Sequence, residues 1–539
     1  MKDKKMTPEE IATMEIGSTD ISKTNQKILV AFFLIFIVSA VIVQFLFSTN
    51  NETFASNNSD IKNDQTIAES SSFLKTMTDF NAGLGSDIKQ FESDIEENAV
   101  YRKTMIPITQ TGLVRIFNTG NENAWLTKDN FYYKYSNQYL TQPGFLDRKQ
   151  LQKRAKENIQ PNPLKAILHF NESLAKRNIQ LIILPAPPKA AFLLKNDVKA
   201  LNNNSYAIFV KQLQKEGIVV CDVFELLENQ NFENSGYLKY DTHWSPEAMK
   251  MVANKVSELL DSLSIAKGNI DYNTKKLTVQ NHGDIVDMLT IENKDNLFKR
   301  QSIEIEQILE ENFLFKPATQ SDILFLGDSY ANIYSLEGMN WGSAAGLSEH
   351  ISKNMRKPVD RIQMNDAGAY ATRLALSNEL KRGKNRLAGK KVVIWEFAAR
   401  ELSVGDWKLI DMKLNEDYVS EFFVPKEDTS HVVTGIVSET SQVPMPNSVP
   451  YKDHVVSVHI TNLKEINTGK ELGEAVVYLS SMENNNWTAA AQLRNGQEIK
   501  LKLYNWNDYT AEFGPINRSE LQDDELSFAD PCWGVLLKK

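Results

Sequence analysis

The chain has 539 residues, with 60 Lys and Arg against 69 Asp and Glu for a formal charge of −9. Domains usually run about 100–200 residues, so roughly three to five units are expected. Hydrophobic residues at 42% and charged residues at 24% exclude a chain disordered throughout, and the acidic balance argues against a nucleic-acid partner held by bulk charge.

Ile28 to Phe47 reads ILVAFFLIFIVSAVIVQFLF, twenty residues without a charge, which as a helix matches the hydrocarbon thickness of a bilayer. Lys23 and Lys27 precede it, and no Lys or Arg follows until Lys62. The positive-inside rule then leaves residues 1–27 as a short cytoplasmic tail, residues 28–47 as a single-pass anchor, and the rest extracytoplasmic, on the periplasmic or cell-surface side. A cleaved signal peptide is the rival reading. The long run, the long leader and the weak T-F-A site at Thr53 to Ala55 favour the anchor.

Residues 48–104 read as a spacer rich in Asn, Ser, Asp and Thr, running into a helical linker. From about residue 160 the pattern alternates. Pro163 to Lys176 has helical spacing, Leu181 to Leu184 reads as a strand leading into PAPPK, Ala207 to Glu216 as a helix, and Ile218 to Val220 as a strand. Ser245 and Pro246 form a helix start, followed by Ala248, Val252, Val256 and Leu259 on one face. Ile323 to Leu326 and Lys391 to Phe397 read as further strands. Short apolar strands separated by helices predict an α/β sheet covered on both faces. After about residue 410, HVVTGIVSE, HVVSVHI, EAVVYLSS and EIKLKLYNW predict a separate β barrel or sandwich over 425–539. Cys221 and Cys532 are read as two separate buried thiols, and the chain's two cysteines exclude a four-cysteine zinc site.

Two segments carry chemistry. In DILFLGDSYANIYS, residues 322–335, a strand runs into Gly327-Asp328-Ser329, which puts a serine hydroxyl and backbone N–H groups at the C-terminal edge of the sheet. In YLKYDTHWSPEAM, residues 237–249, Asp241 and His243 are two apart just before the helix. In extended backbone they point the same way, so the carboxylate can orient the imidazole toward a nucleophile. A metal is not expected: D-x-H supplies two ligands, and His282 lacks diagnostic spacing as a third.

DTHW, GDSY and their surroundings resemble the SGNH-hydrolase-like domain of the alginate O-acetyltransferase family, the AlgJ/AlgX group. Residues 123–146, LPAPPK at 184–189, GDIVDML at 283–289, NDAGAYATR at 365–373 and WEFAAREL at 395–402 resemble its ordered landmarks. The likeness covers about 105–405, within a catalytic domain expected over 105–410. It implies a permuted fold with Asp241, His243 and Ser329 as the triad, Asn365, Gly368, Tyr370, Arg373 and Arg400 as oxyanion or sugar contacts, and a glycan-binding C-terminal domain. It further implies acetyl transfer through an acetyl-serine to an extracytoplasmic polysaccharide, with no cofactor and an acetyl donor supplied indirectly. A multi-pass membrane O-acyltransferase and polysaccharide export machinery would be its partners. A carbohydrate esterase, or a catalytically weak glycan-binding or assembly protein, remains open on the residues alone.

Overall fold

The computed structural model describes residues 22–48, 100–127, 131–193, 203–365, 368–446 and 449–537, apart from positions 229, 231, 233–235, 450, 515, 522, 524–525 and 527–528. The chain divides into two compact units, Met1–Thr109 and Gln110–Lys539. In the first, the apolar run lies in the helix Lys23–Ser48. Its side chains are described through Ile35. Among the described residues no helix is long and apolar enough to cross a membrane. Residues 36–47 of the expected anchor lie outside them as regards side chains, and residues 1–21 and 49–99 of the expected tail and spacer lie outside them altogether.

The second unit begins within the helix Val100–Phe117 and continues into a hairpin, β1 (Ala124–Leu126) and β2 (Phe131–Tyr133). Then come β3 (Gln180–Ala186), β4 (Val219–Val220), the long antiparallel pair β5 (Tyr272–Asn281) and β6 (Gln301–Glu310), and β7 (Phe313–Leu314). The strands β8 (Ile323–Gly327), β9 (Asp360–Gln363) and β10 (Val392–Ala398) complete the α/β part. Its sheet has the order β4-β3-β10-β8-β9, parallel throughout. Its inner strands are buried along almost their whole length because helices cover both faces, so ILFLG reads as an unbroken apolar run and VVIWEFA as one broken only by Glu396. One continuous core joins this sheet to helices such as Pro163–Ala175 and Pro246–Ser262. The latter starts where expected: Pro246 fills its first turn and Ser245 Oγ accepts the Ala248 N–H at 3.3 Å.

The C-terminal strands are β11 (Ser430–Thr440), β12 (His454–Glu465), β13 (Glu471–Glu483), β14 (Asn486–Trp487), β15 (Glu498–Asn505), β16 (Asn517–Ser519) and β17 (Pro531–Leu536). Their order is β14-β13-β17-β15-β11-β12-β16, and an additional β12–β13 pairing closes the five long strands on themselves. This part is therefore a barrel, not a sandwich. Numbered within the barrel, its strands run 1-2-3-5-4-1, with the third and fifth parallel, and a short 3-10 turn, Ala489–Gln492, lies between the third and fourth. That is the strand order of an OB-fold, a five-stranded Greek-key barrel. Its interior is filled by alternating apolar residues such as Val433, Val458, Val477 and Leu501. Cys221 and Cys532 are both free and buried.

Candidate active site

All the strands that feed the site end on one edge. Met364 N–H donates to the Gly327 carbonyl at 3.0 Å, holding the exits of β9 and β8 together, and Ala398 N–H donates to Asp328 Oδ2 at 2.7 Å, tying in β10. Gly327 is required for space rather than for an unusual φ. A Cβ there would stand 2.5 Å from the Phe325 ring and 2.8 Å from the Ala331 Cβ. Asp328 accepts the Tyr330 N–H at 2.9 Å and so caps the turn that opens with Ser329, a residue 3% exposed.

The segment from 237 to 244 crosses this edge. His243 packs its ring 4.9 Å from that of Tyr330, the residue after the serine, and Tyr330 Oη donates to the Thr242 carbonyl at 3.1 Å. His243 Nδ1 and Asp241 Oδ1 are 2.7 Å apart, and the His243 backbone N–H also donates to Oδ1 at 3.1 Å. Asp241 Oδ2 accepts Trp341 Nε1–H at 2.8 Å and Asp284 N–H at 3.1 Å. A buried carboxylate that accepts four donors is held as the anion. Burial pushes its pKa up, but the hydrogen bond and charge of His243 and the Trp341 and Asp284 donors more than offset this, so it lies below the ordinary value. Burial pushes the imidazole down, and Asp241, then Asp284 and Asp328, carry it above its ordinary value.

Trp341 and Asp284 were not among the residues the sequence singled out. Asp284 lay inside the GDIVDML landmark. The adjoining Gly283 has φ +91°, and a Cβ there would stand 2.4 Å from the Tyr240 carbonyl oxygen, so only glycine lets Asp284 come up beneath Thr242. Trp341 carried no signal beyond being a tryptophan. Lys189, in LPAPPK, is buried and donates to the carbonyls of Leu238, Lys239 and Asp241 at 2.7, 2.6 and 3.2 Å, which fixes the backbone of the whole segment.

Asp241, His243 and Asp284 lie close enough together to be considered as metal ligands. Their donor set does not fit one. The Asp241 oxygens are taken by N–H groups, Asp284 accepts Thr242 N–H at 2.8 Å and the Thr242 hydroxyl at 2.5 Å, and His243 Nδ1 is turned to Asp241. His282 instead points its Nε2 at the Phe298 carbonyl, 3.1 Å away.

The remaining expected contacts separate into three groups. Asn365 stands beside the serine turn: its Oδ1 accepts Asn332 Nδ2–H at 2.9 Å, and among the described residues its own Nδ2 meets the weak acceptor Met339 Sδ, at 3.2 Å. Gly368 and Arg400 line a cavity of about 440 Å³ with Tyr133, Tyr135, Lys153 and Glu401. Arg400 Nε is 3.5 Å from Glu401 Oε1, and its charge reaches Tyr330 and Glu396. Tyr370 and Arg373 are placed elsewhere. Tyr370 packs on the core under Lys408 Nζ, 4.4 Å from its ring. Arg373 is fully buried, stacked 4.6 Å from the Trp395 ring and bonded to the Ala369 and Lys408 carbonyls. That position anchors the helix Ala371–Lys381. Asp453, just before β12, lies near Gly338: its Oδ2 is 2.9 Å from where a Cβ there would stand.

A serine at a tight strand exit and an imidazole–carboxylate pair packed against the residue that follows it are the parts that a serine-nucleophile α/β domain requires. Residues 144–399 match the family described as "SGNH hydrolase-like domain, acetyltransferase AlgX". The chain is 24% identical over 265 residues, 46% of its length, to a probable alginate O-acetylase AlgJ of Azotobacter vinelandii, and the match spans 64% of that relative, less than two thirds. It is 20% identical over 302 residues, 53% of its length and 72% of the relative's, to a probable AlgJ of Pseudomonas putida. The solved O-acetyltransferase domain of Pseudomonas putida AlgJ is similar at 17% identity and a TM-score of 0.39, over 53% of this chain and 92% of that one. At the level of the family, the likeness is to proteins named for polysaccharide O-acetylation.

Proposed function

We propose that the chain is a polysaccharide O-acetyltransferase that carries its acetyl group on Ser329. The observation that carries this reading is the buried Asp241–His243 pair, 2.7 Å apart, packed against the residue that follows a strand-exit serine. His243 Nε2 takes the Ser329 hydroxyl proton as Oγ attacks the donor's carbonyl carbon. The imidazolium is offset by Asp241, and the tetrahedral oxyanion is met by the Ser329 N–H and the Asn365 amide. Collapse expels the donor's leaving group, which takes the proton from His243. A sugar hydroxyl then gives its proton to His243 and attacks the acetyl-serine, and collapse returns Ser329 with its hydroxyl.

Water in place of the sugar would make the same site an esterase, so the outcome depends on how the acceptor is held. The cavity beside Arg400, with its paired tyrosines, is the acceptor groove in this reading, and the barrel, whose topology suits oligosaccharides, holds the chain further along. The anchor and an extracytoplasmic site belong to the same proposal. They are supported by the seven large apolar side chains between Ile28 and Ile35, each 55–67% exposed. Acetyl-CoA is cytoplasmic, so a membrane-embedded acyltransferase would pass the group outward, beside the machinery that exports the polymer.

The test supplies the soluble region with an activated acetyl ester and a panel of oligosaccharides, following glycan mass and free acetate together. Acetylated glycan that disappears in Ser329→Ala supports transfer. Acetate release that no oligosaccharide diverts would show an esterase instead.

A further inference from the structure

His243 has two carboxylates, not one. Its Nδ1 lies 2.7 Å from Asp241 Oδ1 but also 3.2 Å from Thr242 Oγ1, and that hydroxyl donates to Asp284 Oδ2 at 2.5 Å. Asp284 Oδ2 itself is 3.7 Å from Nδ1, and its backbone N–H donates to Asp241 Oδ2. Asp241, His243 and Asp284 are all buried, with exposures of 2%, 1% and 7%, so water does not screen the second carboxylate from the ring. A triad needs Asp241 alone; nothing in the orientation of the imidazole requires a further acid this close.

We propose that Asp284, linked through the Thr242 hydroxyl, is a positioning residue that supports His243 Nδ1 beside Asp241 and sets the acidity over which the imidazole works as a base. This rests on the serine-transfer reading above. Asp284 and His243 compete for one proton. Burial first, and then the Asp241 charge, push the Asp284 carboxyl up to about 7, while the imidazole is itself raised. Such a pair titrates in two shared steps. As pH falls, the first proton is divided between ring and acid, so the free base is lost gradually rather than at one point.

The other charged or titratable groups facing this cluster are Asp328, whose charge favours the imidazolium, Lys189, which lies against Asp241 and Asp284, and the phenols of Tyr330 and Tyr334. None shares a hydroxyl with the ring. Replacing Asp284 by Asn keeps the size and the acceptor for Thr242 N–H but removes the negative charge. His243 should then protonate in one step, at lower pH.

The experiment measures the rate of acetyl-Ser329 formation from an activated acetyl ester as a function of pH, together with the NMR titration of the His243 imidazole in the same protein. Asp284→Asn should move the acid limb down by at least about half a unit and make it a single steeper step, as expected for loss of a charge within ~4 Å. Thr242→Ser, which keeps the hydroxyl, should retain the wild-type profile. If Asp284→Asn does not fold, Thr242→Val carries the test, because Asp284 without its hydroxyl donor keeps its proton longer and the limb moves the same way. A uniform loss of rate with an unmoved limb and an unmoved ring titration would overturn the proposal and leave Asp284 a packing residue. Failure of the wild type to acetylate Ser329 at all would instead sink the transfer reading, with the ring titration still deciding the role of Asp284.

Discussion

Trp341→Phe removes one hydrogen bond from the centre of the site and little else. The indole is fully buried and its Nε1–H reaches Asp241 Oδ2 at 2.8 Å, one of four donors on that carboxylate. A hydrogen bond to a charged group contributes about 1.5–3 kcal/mol, and phenylalanine also leaves part of the indole's volume empty. The variant should therefore lose about 2–4 kcal/mol of stability at neutral pH in urea unfolding. The sign of the pH dependence follows from Asp241, whose folded pKa is depressed. Its stabilisation is complete above the unfolded carboxyl value of about 3.9 and is lost as pH falls through the lower folded value. Without Trp341 the folded value rises, so the gap between wild type and variant should narrow as pH drops below about 4. The rate of Ser329 acetylation should fall about tenfold as the Asp241–His243 pair loosens, taking a share of about 1.4 kcal/mol as barrier. A variant that keeps wild-type rate and shows a stability gap independent of pH would refute the claim that Trp341 holds the catalytic carboxylate.

Three further outcomes follow from the geometry. Lys189→Met should leave the carbonyls of Leu238, Lys239 and Asp241 without their donor, destabilise the protein by about 3 kcal/mol or more in urea, and slow acetylation by loosening the His243 segment. Glu396 is buried, its Oε2 accepts Asp328 N–H at 2.8 Å, and burial and then the Asp328 charge push its pKa well up; its stabilising contribution is full below about 4.3 and declines as pH rises toward the folded value, so Glu396→Gln should gain on wild type progressively above that pH in thermal unfolding. Arg400→Gln should raise the acceptor KM several-fold while leaving acetyl-serine formation within about threefold; an unchanged acceptor KM would remove the cavity from the acceptor groove.

The parts legible in the sequence are those in which local pattern and burial agree. Leu181 to Leu184, Ile323 to Leu326 and Lys391 to Phe397 were recognisable because a parallel strand covered on both faces is mostly apolar, Glu396 being the exception. The four β-prone runs after residue 430 fall on β11, β12, β13 and β15, although the barrel's closure depends on the β12–β13 and β13–β17 pairings, which no single run encodes. β5 went unread because YNTKKLTVQN is exposed along most of its length, whereas its partner β6 carries the alternation Ile303-Glu304-Ile305-Glu306. Asp241 and His243 were legible as a pair two residues apart, although the structure joins them across a bend, with the His243 N–H on Asp241 Oδ1, and not in extended backbone. Asp284 and Trp341 were not, because 41 and 98 residues separate them from His243 and only the fold brings them to it. Arg373 closes the 365–373 landmark, and its guanidinium donates to two carbonyls and stacks on an indole face, contacts that only the fold reveals.

The central claim is that Ser329 carries the acetyl group, and intact-protein mass spectrometry with peptide mapping tests it most directly. After brief exposure to an activated acetyl ester and acid quenching, wild type should carry one acetyl group on the peptide containing Gly327-Asp328-Ser329, lost again on adding an acceptor oligosaccharide. Ser329→Ala should carry none there, and His243→Ala should acquire it slower by orders of magnitude. An acetyl group that never appears on Ser329 while glycan is still acetylated, or acetylation undiminished in Ser329→Ala, would contradict the account.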